Sequence, residues 1–169
     1  ISEIVKNLSI ECRKRKIAIT GGETSVHNDT KSLDISITIS GFIKKARPNR
    51  FKKGDWLIGF KSHGLHSNGF TKVREVFKNK FNPEFVKPTA IYFDQIQTLL
   101  SKYPINGMMH ITGGAFTKLK DLLIDADVEI SAPHKLQPQA IFHELYARRV
   151  SDKEMYRVFN CGIGFVLSV

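Results

Sequence analysis

The sequence predicts an α/β layer architecture. Short apolar runs of strand character alternate with amphipathic helical stretches along most of the chain. Glycine-rich bends mark the changes from strand to helix, most clearly at residues 64–70 (GLHSNGF) and 110–116 (HITGGAF). The chain's 169 residues, with 41% hydrophobic and 25% charged content, can bury the core of one domain, or of one domain and part of another.

Taken in order, residues 1–16 place Ile4, Val5, Leu8 and Cys12 near helical spacing and end in a basic turn, which suits a helix C-terminus. Residues 17–20 are a short β run stopped by Gly21 and Gly22. Residues 33–43 alternate, with Leu33, Ile35, Ile37 and Ile39 on one side and Asp34, Ser36, Thr38 and Ser40 on the other, so a half-buried strand is expected. The basic stretch 44–53, with Pro48, reads as a linker, and a domain boundary is placed between residues 45 and 46. Residues 55–60 (DWLIGF) read as a buried-type strand, the first bend follows, and a helix is expected over about 68–80. After a loop at 82–88 comes a helix over 90–102 carrying Ile91, Ile96, Leu99 and Leu100. Residues 108–112 are a short strand, 113–114 a bend, 115–123 helical, 128–131 a strand, 139–148 a helix and 159–169 a strand interrupted by glycine. No internal repeat is present. Ile1 in place of Met, and a last run FVLSV inside a strand, read as cut ends, so an internal fragment of a longer protein is expected.

No apolar run is long enough for a bilayer, and a membrane partner is not expected. Cys12 and Cys161 have no paired spacing, and a reducing cytoplasmic setting follows. The net charge of +10 favours anionic partners, phosphorylated metabolites or nucleic acid. The basic clusters at 13–16, 44–53 and 148–149 lack interleaved aromatics, which argues against a single-strand nucleic-acid groove.

A glycine-rich bend that opens a helix aims unpaired N–H groups and the positive end of the helix dipole at one place. Ser67 or Asn68 can cap the first helix and Thr112 the second. His66 and His110 add a group that is neutral or cationic near pH 7, able to donate to phosphate oxygens or move a proton. The sequence Gly21, Gly22, Glu23, Thr24 is a third such turn, whose Glu23 can hold Mg²⁺ or cap its own turn. His63 and His66 are spaced as a metal pair, but no third and fourth ligand stands nearby, so no metal site is assigned to this chain. His27, His134 and His143 lie in polar surroundings and read as surface residues, and Cys161 reads as core, not nucleophile.

Five stretches, GGET, GDWLIGFKSHGLHSNGFTKVR, PTAIY, MMHITGGAF and EMYRVFNCGIGF, resemble in this order the aminoimidazole ribonucleotide synthetase family, also called phosphoribosylformylglycinamidine cyclo-ligases. The likeness runs over nearly the whole chain. Its most specific parts are the HSNG turn and EMYRVFNCGIG, which sets this family apart from formylglycinamidine ribonucleotide synthetase, selenophosphate synthetase and thiamine-monophosphate kinase, relatives of the same fold. The resemblance implies an N-terminal domain whose strands build a barrel across a homodimer interface, and a C-terminal α/β domain with a mixed sheet covered by helices. Residues 1–45 would be the tail of the first, ATP-binding domain, and 46–169 most of the second, substrate-side domain. The family's ATP-contacting lysine and acidic metal-binding segment are expected upstream of Ile1.

The implied reaction closes the imidazole ring of formylglycinamidine ribonucleotide, using ATP and Mg²⁺, in purine biosynthesis. Such chemistry asks for anion clamping and placement more than for a covalent nucleophile. By resemblance, Gly64, His66, Ser67, Asn68 and Gly69 would form one phosphate or substrate cradle. His110, Thr112, Gly113 and Gly114 would form the facing one. Gly21, Gly22, Glu23, Thr24 and Asp34 would lie on the ATP side, and His66 and His110 would be catalytic, orienting the formyl group or stabilising its developing charge. The chain departs from the family pattern at Ser25–Asn28, at Ser36–Thr38 and at Ala115, two of these on the ATP side. Alternatives are the sister amidotransferase-type synthetase, which EMYRVFNCGIG opposes, and a basic nucleic-acid-binding module, which rests on charge alone.

Overall fold

Strand β3 (Ile163–Ser168) is buried along almost its whole length because it runs down the middle of a three-stranded sheet. The computed structural model describes residues 1–29, 31–43, 46–131 and 136–169, and the chain divides into two units, 1–46 and 47–169.

In the second unit, β1 (Leu57–Lys61) and β2 (Gly107–His110) flank β3 and both pair with it antiparallel, from Leu57 and Gly107 opposite Ser168. The sheet is therefore antiparallel, not mixed as expected. The strand–helix–strand rhythm does make β1 and β2 run the same way, but β3 inserts between them in the opposite sense, and only one isolated parallel bridge occurs among the described residues, Phe51 with Leu123. The expectation of helices covering the sheet holds. Helix α3 (Phe93–Lys102) brings Ile96 to a core with Ala90, Tyr92 and Leu167, while the 3₁₀ helix Ala115–Leu122 brings Ala115, Leu119 and Leu122 to a core with Ile163 and Val166. Successive residues of β3 thus serve opposite faces, as a doubly covered strand requires. A third core gathers Val73 and Phe77 of α2 (Phe70–Phe77), Ile141, Phe142 and Leu145 of α4 (Ala140–Ala147), and Met155 of α5 (Asp152–Val158) around Leu65 and Phe159.

Several local expectations change. Helix α5 was hidden inside what reads as the approach to the last strand; Ser151 caps it, accepting from the Glu154 N–H, and Asp152 and Glu154 favour its positive end. Asn82 likewise caps a short 3₁₀ turn, Pro83–Val86, in the predicted loop. Residues 128–131 form no strand. The linker reading fails at its end, since Phe51 is buried and its N–H donates to the Leu122 carbonyl at 2.8 Å. Asn49 pairs with the outer edge of β2, its side chain exchanging both hydrogen bonds with the main chain of Met108. Lys44 and Lys45 lie outside the described residues.

In the first unit, helix α1 (Ser2–Lys14) is present, with Glu3 in its first turn and Arg13 and Lys14 in its last. Neither expected strand, at 17–20 or 33–43, forms among the described residues, so the barrel remnant is not seen there. Ile35, Ile37 and Ile39 are all exposed, the last at 72%. Alternation marks which side chains would share a face; it does not supply the neighbouring strand whose N–H and C=O groups make a strand.

Candidate functional site

Between β1 and α2 the main chain turns through four left-handed residues, Gly64 (φ 143°), His66 (52°), Ser67 (56°) and Gly69 (74°). Glycine is obligatory at 69 for two reasons: its φ, and its closeness to the Phe159 ring, which an added Cβ would strike. Gly69 is also the N-cap of α2, and no side chain caps it. The capping expected of Ser67 or Asn68 does not occur, because Asn68 Nδ2 donates instead to the His66 carbonyl at 2.7 Å, and Ser67 points to solvent. The first-turn N–H groups of α2 therefore have no helical or side-chain acceptor, which is the condition for binding an anion there.

His66 is 3% exposed. Its Nε2 accepts two main-chain hydrogen bonds, from His63 N–H at 2.9 Å and Ala90 N–H at 3.2 Å. An acceptor cannot carry the proton, so the ring is the Nδ1–H tautomer, and Nδ1 is buried with no partner among the described residues. Burial first, and then the neighbouring charges of His110 and His63, pull its pKa down to about 4. Of the neutral and cationic states the sequence allows, burial selects the neutral one: His66 is a ring that holds the turn and the segment before α3 together, with one N–H left to donate.

The second turn follows β2. Ile111 N–H donates to the Gly164 carbonyl at 2.9 Å and Ala115 N–H to the Thr112 carbonyl at 2.8 Å, and Gly114 (φ 84°) leads into the 3₁₀ helix. No side chain caps this helix either, so the capping role expected of Thr112 is not taken up, and its N-cap is Gly114. His110 is exposed, stacks on Phe165 at 5.9 Å between centroids, and has its pKa lowered by burial of part of the ring.

The two turns meet. The His66 and His110 ring centroids are 6.0 Å apart, with Tyr92 6.1 Å from the first and 5.7 Å from the second. A Cβ built on Gly113 would lie 3.6 Å from Asn68 Oδ1. His66 and Asn68 of the first turn are thus brought beside His110 and Gly113 of the second, while Gly64 faces Glu84 and Lys87, and Gly69 faces Val158 and Phe159. Gly21, Gly22, Glu23, Thr24 and Asp34 belong to the first unit, where all are exposed and in no regular element.

Sequence reasoning missed three residues at this place. Tyr92 donates from Oη to the Lys61 carbonyl at 2.8 Å, and burial pushes its own pKa up to about 12. Buried Asn160 donates to the Gly64 carbonyl at 2.7 Å, and Gln139 to the Ser62 carbonyl at 2.6 Å. Tyr92 and Asn160 sit in PTAIY and FNCGIG, so a motif with no assigned role was the available signal. The Cys161 thiol is raised to about 12 by burial and is no nucleophile at neutral pH. His27 and His143 are exposed; His134 lies outside the described residues.

Among the described residues no three His, Cys, Asp or Glu side chains gather as a metal cage, so these residues do not by themselves fit Mg²⁺. Nor, among them, is any helix long and apolar enough to cross a membrane.

Comparison with known proteins matches residues 52–169 to a family model described as AIR synthase related protein, C-terminal domain. Proteins named phosphoribosylformylglycinamidine cyclo-ligase are similar over essentially the whole chain. The one from Saccharolobus solfataricus is 33% identical, covering 100% of this chain and 53% of its own length. That from Methanothermobacter thermautotrophicus is 36% identical, covering 96% and 54%, and that from Clostridium perfringens 36%, covering 99% and 55%. The chain therefore spans about half the length of the curated relatives it matches.

Proposed function

This chain belongs to the AIR synthase related family through the C-terminal domain, and on that premise we propose that it is the substrate-side part of an ATP-dependent cyclo-ligase of purine biosynthesis. The reaction is the closure of the imidazole ring of formylglycinamidine ribonucleotide to aminoimidazole ribonucleotide, with ADP and phosphate as co-products. The enzyme would work in the cytoplasm as a homodimer when the full-length protein is present.

The observation that carries this reading is the meeting of the two turns that lead into uncapped helices, where the His66 and His110 rings lie 6.0 Å apart. The main-chain N–H groups of Ser67 and Gly69 and the start of α2 suit the phosphate of the ribonucleotide or the phosphoryl group on the activated amide oxygen. His110, exposed and stacked on Phe165, is the proposed hydrogen-bonding partner of the formyl group, and neutral His66 retains only its Nδ1–H as a donor. ATP supplies the phosphoryl group; Gly21, Gly22, Glu23, Thr24 and Asp34 of the first unit are proposed as ATP contacts by family likeness alone. No step is assigned to Mg²⁺ through the residues described.

Two measurements test the proposal. A crystal soaked in sulfate should show the anion on the amides of residues 64–69; an anion found elsewhere, with these amides bare, contradicts it. The full-length protein should turn over formylglycinamidine ribonucleotide with ATP. Turnover instead of formylglycinamide ribonucleotide with ammonia would assign it to the sister synthetase.

A further inference from the structure

Four main-chain carbonyl groups between Lys61 and His66 each accept one side-chain hydrogen bond. The donors are Tyr92 to Lys61, Gln139 to Ser62, Asn160 to Gly64 and Asn68 to His66, at 2.6–2.8 Å. In a trans peptide the carbonyl and the following N–H point in opposite directions, so anchoring one aims the other. Ser62 illustrates this: Gln139 holds its carbonyl, and the next N–H, that of His63, is delivered to His66 Nε2. After Gly64 and His66 the N–H groups so aimed are those of Leu65 and Ser67, and neither has a partner among the described residues.

Sterics do not secure this orientation at Gly64. Its φ is 143°, and a Cβ added there would meet nothing closer than 3.9 Å, so a glycine peptide at this point has room to rotate. The contact that opposes rotation is Asn160. That side chain is 3% exposed and committed at both ends, since Oδ1 also accepts the Gly162 N–H at 3.0 Å, and Gly162 itself is left-handed at φ 99°.

We propose that Asn160 is a positioning residue for the first turn, holding the Gly64 carbonyl inward so that the turn presents N–H groups, not a carbonyl oxygen, to a bound phosphate group. The inference rests on reading that turn as a phosphate site. It gives the FNCGIG stretch a task that packing does not explain, because a buried aliphatic residue would fill the space without orienting a peptide.

Inorganic phosphate titrated into this chain at pH 7, followed by amide NMR, tests it. In the unaltered chain the signals of Leu65, Ser67, Asn68 and Gly69 should move and saturate. Asn160→Asp keeps the acceptor for Gly162 but loses the donor, and Asn160→Ser is too short to reach Gly64; each should bind phosphate about tenfold more weakly, the equivalent of one lost hydrogen bond. Ile141→Val, a mild core change, should bind as the unaltered chain does. Unchanged affinity in Asn160→Asp or Asn160→Ser overturns the inference and leaves the phosphate site standing. An equal loss in Ile141→Val also overturns it, since the effect would then be general loosening. If the unaltered chain shows no response at these amides, the phosphate reading fails, and this inference falls with it. Should Asn160→Asp not fold, Asn160→Ser, neutral and smaller, decides the matter alone.

Discussion

Replacing His66 with Phe keeps a planar ring of similar shape but removes the acceptor of two main-chain hydrogen bonds. The Ala90 N–H is buried and loses its partner outright, which costs about 1–3 kcal/mol; the His63 N–H belongs to an exposed residue and can turn partly to water, so its loss lies near the low end of that range. The expected destabilisation is therefore roughly 2–4 kcal/mol, a fall of about 1–3 M in the urea midpoint. His66→Gln, whose amide oxygen can accept, should recover part of this. Acidity supplies a second, independent signature. The folded state holds His66 neutral with a pKa of about 4 against an ordinary 6.5. Between those values the unfolded chain takes up a proton that the folded chain refuses, so this group's contribution is present above pH 6.5 and is lost as pH falls towards 4. The full shift is worth about 3 kcal/mol. The gap in stability between the unaltered chain and His66→Phe should thus be widest at pH 7 and narrow on acidification, measured by urea unfolding at pH 7, 6, 5 and 4.5. Equal midpoints at pH 7, or a gap independent of pH, would refute the reasoning. Substitution at His66 consequently tests folding as well as turnover, and loss of activity alone would not assign it a chemical role.

Gly69→Ala should destabilise the chain by about 2 kcal/mol or more in the same urea assay, since it adds a Cβ at φ 74° against Val158 and the Phe159 ring; a neutral result would mean the turn is not built as described. Cys161, with its thiol raised to about 12, should react with iodoacetamide at pH 8 on the order of a thousandfold more slowly than a free cysteine, and should become reactive in urea; mass spectrometry of the native chain showing ordinary labelling would contradict this. The chain by itself should form no imidazole product from formylglycinamidine ribonucleotide and ATP, because the proposed reading gives it the substrate side alone; coupled-assay detection of ADP release dependent on that substrate would overturn the division of labour.

The existence of the packed strands and helices was readable from their apolar content, as in the 90–102 stretch, but not which side chains they bury: DWLIGF reads as a buried strand, yet Trp56 and Ile58 are exposed. The direction of strand pairing was not, since it depends on where β3, more than fifty residues after β2, inserts itself. Residues 33–43 misled for a related reason, because alternation carries no information about whether a partner strand is present. At the site, the glycines and histidines were legible from composition and turn chemistry. The neutrality of His66 was not, because it follows from an N–H on Ala90, 24 residues away, together with burial that only the folded chain creates. Asn160 and Tyr92 escaped for the opposite reason: amide and phenol side chains have many uses, and only their reach to a specific carbonyl gives them one.

The middle strand of the sheet is the last to be made. Leu57 must find Ser168, a partner 111 residues later in the chain, before β1 has a neighbouring strand among the described residues, and β2 waits for the same segment. The edges of β1 and β2 that β3 covers therefore stay open until residues 163–168 emerge from the ribosome. Closure of this sheet should be slow, since both of its pairings with β3 are long-range contacts.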